Sequence, residues 1–276
     1  MSAWCNADPR AKALGLSLLV AALVGFTFAL PRIPQPPEYH QFADQRGCLG
    51  LPNCLDTASN ALFVLVGVAG LCFLHGASRA SGRRAFIEPR EALPYALFFF
   101  AVILVGFGSG LYHLAPDNGR LVWDRGAIAL AFMAWLAAIL CERVSLAAGL
   151  RLLPLLIAAG LGSVAWWGIS EAHGMGDLRF YGLMQLIPIL LIPSLLWLYP
   201  PRYSGDRDIL VVIGLYVLAL LCDLSDRPIF SLTGGLISGH TAKHLVAVSA
   251  AYWVMHHLQR RRILMHSQER KKLTGS

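Results

Sequence analysis

The sequence predicts an all-α fold, a polytopic bundle of membrane-spanning helices. The chain is 56% hydrophobic and only 14% charged, whereas about a quarter of the residues of an ordinary soluble domain are charged. Its apolar residues form long runs of roughly 20 residues, the length that crosses a bilayer as a helix. The runs lack the period-two alternation of a membrane barrel, and helices satisfy their own backbone hydrogen bonds in lipid.

Eight segments have the length and composition of a membrane span. They are residues 13–30, 59–76, 93–114, 124–141, 147–169, 180–199, 208–224 and 240–258. The first has the basic flank of a signal peptide, but no A-x-A-like cleavage site follows it, so we interpret it as a retained helix. A linker rich in proline and polar residues, 31–56, separates it from the other segments.

The basic residues orient this bundle. They concentrate in loops that fall on one side when all eight segments cross the membrane. They are Arg10, Lys12, Arg79, Arg83, Arg84, Arg90, Arg143, Arg151, Arg202, Arg207, Arg260, Arg261, Arg262, Arg270, Lys271 and Lys272. Basic loops face the cytoplasm, so both termini are predicted to be cytoplasmic. The net charge of +7 therefore does not indicate a nucleic-acid partner, and we expect none and no obligate protein partner.

Ionisable residues gather at the opposite, extracytoplasmic level. His113 lies at the outer end of segment 93–114, Asp124 begins the next segment, and His240 and His244 lie in the first turns of the last. Intramembrane ionisable side chains are costly and usually face a bundle interior or a wet cavity. The i, i+4 spacings of His240 with His244 and of Ser109 with His113 put each pair on one helix face.

Three histidines with one open coordination position are typical of a catalytic zinc site. A neighbouring carboxylate accepts the proton of the metal-activated water, a role that suits Asp124, and Ser109 is placed to stabilise a developing oxyanion. Simpler interpretations exist for each residue. Asp124 is also a helix-capping residue, Ser109 a small packing residue, and a single HxxxH pair is often not a metal site.

Two further features leave alternatives open. Cys48 and Cys54 share one loop, so they form a disulfide if that loop is extracytoplasmic, or remain two free thiols. Asp223, Asp226 and Arg227 end the segment 208–224 and are expected to pair with one another or with a substrate headgroup.

These motifs resemble the alkaline ceramidase superfamily of seven-helix membrane hydrolases, and most closely its bacterial ceramidase-domain proteins. The shared pattern is Ser-x3-His, an Asp eleven residues later, and His-x3-His on the last helix, and "PNCLDTASNALF" resembles the block before the first core helix. The resemblance spans roughly residues 42–258. It implies three units: an N-terminal transmembrane helix with its linker (1–41), a seven-helix hydrolase core (42–258) and a basic cytoplasmic tail (259–276).

The resemblance implies a function. His113, His240 and His244 would bind Zn2+, Asp124 and Ser109 would be catalytic, and the substrate would be a membrane lipid amide such as ceramide. The site would face the periplasm in a bacterial inner membrane. Related proteins cleave acyl esters or act as non-enzymatic lipid receptors, and these remain the alternatives, with a transporter or metal carrier the third.

Two positions depart from the family pattern. Family ceramidases carry a Ca2+ site before the first core helix, where this chain retains Asp44 but has Asn53 in place of an acidic residue. The family also often has Glu after the catalytic Asp, where this chain has Arg125. Asp44 and Asn53 are therefore the candidate calcium ligands, and the substrate is expected to differ in detail.

Overall fold

A computed structural model describes residues 8–79 and 85–264 and is built from helices. The elements are α1 (Pro9–Ala29), α2 (Cys54–Ser59), α3 (Ala61–Arg79), α4 (Ala92–Leu114), α5 (Asn118–Arg143), α6 (Leu146–Ala172), α7 (Arg179–Leu198), α8 (Asp206–Leu224), α9 (Asp226–Leu232) and α10 (Gly239–Arg260). Within those ranges only two isolated β-bridges occur and no strand. The all-α prediction is confirmed. Arg83 and Arg84, and the basic residues of the tail beyond 264, lie outside the described residues.

Among the described residues, six helices are long and apolar enough to cross a membrane: α1, the continuous segment formed by α2 and α3, and α4 to α7. The pair α8 and α9, bent by 81°, makes a seventh if it counts as one span. This confirms a polytopic bundle, but the predicted count of eight spans is not reached. The missing one is α10, which has sufficient length at 22 residues but carries His240, Lys243 and His244 in its first turns.

Helix α5 lies at the centre of the bundle, and α1 lies at its periphery. In α5, 78% of the most apolar window is buried, against 11% in α1. The buried face of α5 includes Ala134, Ala137 and Ala138, and such small side chains allow neighbouring helices to approach closely. Helices α4, α6 and α7 all pack on α5, whereas α1 contacts mainly α7.

A buried polar network fixes the C-terminal end of α10. The Arg261 guanidinium, directly after the helix, pairs with Glu142 at the end of α5, and Tyr95 of α4 donates a 2.8 Å hydrogen bond to the same carboxylate. The Arg261 guanidinium also lies 3.9 Å from the centre of the Tyr203 ring. These contacts set the position of α10, and therefore of its histidines, relative to α4 and α5.

The loop before α2 is closed by a disulfide. Cys48 and Cys54 are bonded, with their Cα atoms 5.5 Å apart, which settles the alternative between a disulfide and two free thiols. Two backbone hydrogen bonds between Cys48 and Leu51 tighten the same turn. The loop therefore enters α2 along a constrained path, directly beneath the histidine cluster.

Candidate metal centre

The three predicted histidines come together from two distant parts of the sequence. His113 in the last turn of α4 and His240 and His244 in the first turns of α10 are all buried, with candidate ligand atoms within 4.8 Å of one another. The Nε2 atoms of His113 and His240 are 3.2 Å apart. Two nitrogens on a tetrahedral zinc ion at about 2.0–2.1 Å are separated by about 3.3 Å, so the spacing fits such an ion.

The protonation of His244 follows from its neighbour on α2. Its Nδ1 atom is 2.8 Å from the Ser59 hydroxyl, and that hydroxyl donates its single hydrogen to the Asp56 carbonyl at 3.0 Å. Ser59 therefore accepts from the Nδ1–H of His244, since a hydroxyl has one hydrogen and spare lone pairs. The remaining ring nitrogen, Nε2, is left with the free lone pair that a metal ligand needs.

His240 is oriented by a carboxylate. Its Nδ1 atom lies 2.8 Å from Asp223 Oδ1 at the end of α8, and the same oxygen lies 3.2 Å from the Lys243 ammonium. Metal-binding histidines usually donate their outer N–H to such a carboxylate, which fixes the tautomer and the ring orientation. The Nε2 lone pairs of His240 and His244 therefore lie close together beside His113. A cation bound between them would accept both lone pairs.

His113 is held from its backbone and by ring contacts. The Asn53 amide donates a 2.9 Å hydrogen bond to the His113 carbonyl, which covers one of the unpaired carbonyls at the end of α4. The Phe42 ring centre lies 4.7 Å from that of His113 and 4.6 Å from that of His240. Phe42 is itself buried, so it closes the outer side of the cluster. The Nδ1 atom of His113 is buried without a hydrogen-bond partner.

Glycines bring the site-bearing helices into contact. A Cβ atom on Gly108 would lie 2.8 Å from the Trp123 carbonyl oxygen, and one on Gly239 would lie 2.3 Å from the Cys222 carbonyl oxygen. Both distances are shorter than any ordinary contact, so α4 meets α5, and α10 meets the α8–α9 junction, through glycine backbone. The first approach brings Ser109 beside Asp124, and the second brings His240 beside Asp223.

Asp124 and Ser109 form a pair next to the histidines. Ser109 and Asp124 are both buried, Ser109 on α4 and Asp124 on α5. Both residues line the same cavity as His244, so all five residues predicted from the sequence belong to one site. The close approach of the two helices at Gly108 places Ser109 near the start of α5, beside Asp124. The role of Ser109 as an oxyanion donor remains a prediction.

The cavity beside the cluster has a volume of about 280 Å³ and is largely apolar, with Gln185 and Tyr216 among its polar lining residues. The face of α5 that carries Asp124 continues along the cavity wall with Ile128, Phe132 and Trp135, whose spacings of four, four and three residues keep them on one helix face. The wall from Asp124 to Trp135 is about 16 Å long. Its other apolar residues come from α4, α7, α8 and α10.

The candidate calcium ligands Asp44 and Asn53 each have another partner in this structure. Both carboxylate oxygens of Asp44 accept 2.8 Å hydrogen bonds from the Arg46 guanidinium, which lowers the pKa of Asp44 below its usual value. Asn53 instead faces His113. In the described ranges the three histidines are the one group of three or more His, Cys, Asp or Glu side chains placed to hold a metal. The Arg46 guanidinium therefore occupies the two Asp44 oxygens that a calcium ion would need.

Three supporting residues were not assigned a role at the histidines from the sequence: Asp56, Ser59 and Asp223. Asp56 is buried, and its carboxylate accepts hydrogen bonds from the Thr241 hydroxyl and, at 3.4 Å, from Ser238 at the start of α10. Ser59 lies in the block that resembles the ceramidase family. Asp223 was expected to pair with adjacent charges or a headgroup. The contact of Asp223 with His240 joins two helices and has no signal in local spacing.

No protein-family model matches this chain, and no curated protein matches it. The functional interpretation therefore depends on the geometry of the site.

Proposed function

We propose that this protein is a zinc-dependent integral membrane hydrolase that cleaves the amide bond of ceramide or a related N-acyl lipid with water. The observation that carries the proposal is the histidine cluster of His113, His240 and His244, because its member His244 lines a largely apolar cavity together with the buried Asp124 carboxylate. Histidine ligands suit a transition metal such as zinc, and two of the three, His240 and His244, have their outer ring nitrogen fixed by a neighbouring side chain.

The chain supplies the remaining parts of a hydrolytic site. A bound zinc ion would make water available as hydroxide near neutral pH and polarise the substrate carbonyl. Asp124 accepts a proton from the attacking water and returns it to the departing amine, so the carbonyl carbon gains a C–O bond and loses its C–N bond. Ser109 orients Asp124. The products are a fatty acid and an amine, and the apolar cavity holds the acyl chain.

The test is turnover by an Asp124→Asn variant assayed with ceramides, other N-acyl lipids and acyl esters. We expect activity to fall by about 10²–10⁴-fold, the usual contribution of a general acid–base, with the metal content unchanged. Glu38→Gln, which removes an exposed carboxylate outside the cavity, is the control. Full turnover by Asp124→Asn would overturn the proposed role.

The same assay separates the alternatives. Cleavage of esters but not amides would identify an acyl-ester hydrolase. Tight lipid binding without product under any condition would identify a receptor on the same scaffold.

We also propose that the site faces the periplasm of a bacterial inner membrane, with the C-terminus in the cytoplasm. The loops on the site's face, residues 31–58, 115–123, 170–179 and 225–239, hold fewer Lys and Arg residues than the loops and tail on the other face, and loops rich in these residues face the cytoplasm. The Cys48–Cys54 disulfide suits an oxidising compartment. Labelling of these two cysteines in intact cells by a membrane-impermeant maleimide only after reduction would support this orientation, whereas labelling without reductant would contradict it.

A further inference from the structure

Arg125, directly after Asp124, is a buried cation in the wall of the cavity. Its guanidinium carbon lies 4.1 Å from the Trp167 ring centre, 5.1 Å from Tyr181 and 5.4 Å from Tyr39. Its Nη2 atom donates a 2.6 Å hydrogen bond to the Gln35 side chain. Aromatic rings pack against the face of a guanidinium, so further polar partners must be met by its in-plane N–H groups.

One of those groups has no partner. The Nη1 atom of Arg125 is buried and makes no hydrogen bond. The two other buried arginines of the described ranges, Arg143 and Arg261, pair with Asp206 and Glu142, but no carboxylate pairs with Arg125 there. Lys243, on the same cavity, is already matched by Asp223. A buried charge without a carboxylate partner is strongly unfavourable. Arg125 therefore differs from Arg143 and Arg261, whose charges are paired.

We propose that Arg125 binds an anionic oxygen of the substrate, a carboxylate or a phosphate, beside the scissile bond. The inference rests on the proposed function and narrows it, because the preferred substrate is then an acidic acyl lipid and not neutral ceramide. A guanidinium presents several N–H donors in a planar fork that matches both anions. Such an anion supplies the acceptor that Nη1 lacks, and the aromatic rings hold the guanidinium in place before it binds.

The experiment measures binding of matched amphiphiles to the purified protein in detergent by calorimetry. N-palmitoylglycine carries the carboxylate, N-palmitoylglycinamide is its neutral counterpart, and a palmitoyl lysophosphatidic acid provides the phosphate. We expect one of the two anions to bind at least about tenfold more tightly than the neutral amide, the size typical of a charge-assisted hydrogen bond. Which anion is preferred identifies the source of the charge.

Variants assign that preference to Arg125. Arg125→Gln should bind the anionic and neutral amphiphiles equally, and Arg125→Lys should retain part of the preference because it keeps the charge and loses the fork. Arg32→Gln removes an exposed cation from the same face and should keep the full preference. Thermal melting checks that each variant is folded, and the comparison of amphiphiles on the unmodified protein needs no variant.

Equal binding of all three amphiphiles to the unmodified protein would overturn the inference, as would an anion preference that survives in folded Arg125→Gln. The proposed function fails separately. Anion-selective binding that depends on Arg125, without hydrolysis of any lipid, would uphold the inference and refute the hydrolase. Hydrolysis of neutral ceramide that is unaffected by Arg125→Gln would refute the inference and uphold the hydrolase.

Discussion

Asp223 controls the imidazole of His240 from outside the ligand set. Its carboxylate accepts from the ring Nδ1 at 2.8 Å and lies 3.2 Å from the Lys243 ammonium. The ammonium keeps the carboxylate charged, and the charged carboxylate keeps the opposite ring nitrogen available to a metal. The side chains that prepare this candidate centre for a metal therefore include residues other than the three histidines.

Replacing Asp223 by Asn should weaken metal binding without removing it. An amide accepts the His240 hydrogen bond less strongly and carries no charge, and loss of such a partner typically costs 10–100-fold in metal affinity. The measurement is a competitive titration of the purified variant with a zinc-binding dye. Asp208→Asn, which alters a carboxylate near His257 at the other end of α10, should leave the affinity unchanged. An Asp223→Asn affinity equal to that of the unmodified protein would contradict this role.

The ligands themselves could be predicted from the sequence, and their partners could not. Four of the five site residues form i, i+4 pairs within single helices, so local periodicity places them together. The contacts of His240 with Asp223 and of His244 with Ser59 depend instead on which helices pack together. Calcium binding by Asp44 and Asn53 stays a prediction, and in this structure the partner of Asp44 is the neighbouring Arg46.

At the scale of elements, the junction of α4 and α5 determines whether Asp124 reaches the histidines. The two backbones touch at Gly108, beside Ser109 on one helix and Trp123 and Asp124 on the other. The bend of 81° between α8 and α9 is the second such device, because it lets Asp223 and Asp226 both face the start of α10. Between the predicted spans 208–224 and 240–258 the chain forms the short helix α9, and Pro228 lies in its first turn, where proline is tolerated.

Gly108→Ala should separate α4 from α5 and impair activity. The added methyl group would lie 2.8 Å from the Trp123 carbonyl oxygen, and overpacking of this kind usually costs about 1–3 kcal/mol. We expect a lower melting temperature together with reduced turnover and retained zinc, since the three ligands lie on α4 and α10. Gly126→Ala on α5 is the matched control, because its Cβ would meet nothing within 4 Å. A Gly108→Ala protein with unchanged melting and turnover would show that the close approach is not required.

At the scale of the whole molecule, the centre joins α4 to α10 and so links residues far apart in the chain. It also explains why α10 lacks the hydropathy of a membrane span although the helix is buried along one face. Composition predicted the bundle because lipid restricts the chain to helices. It predicted α10 as an apolar span, whereas the first turns of α10 contain the polar residues of the site, so this helix does not reach the hydropathy of the others.

The most direct test of the central claim is the metal content of the folded protein, measured by elemental analysis after purification without added metal. We expect about one zinc ion per chain, a content that falls below about a tenth in His244→Ala and is unchanged in His256→Ala, which lies at the other end of α10. Folded protein that contains no divalent ion, or a His244→Ala variant with the full content, would contradict the assignment of His113, His240 and His244 as a metal centre.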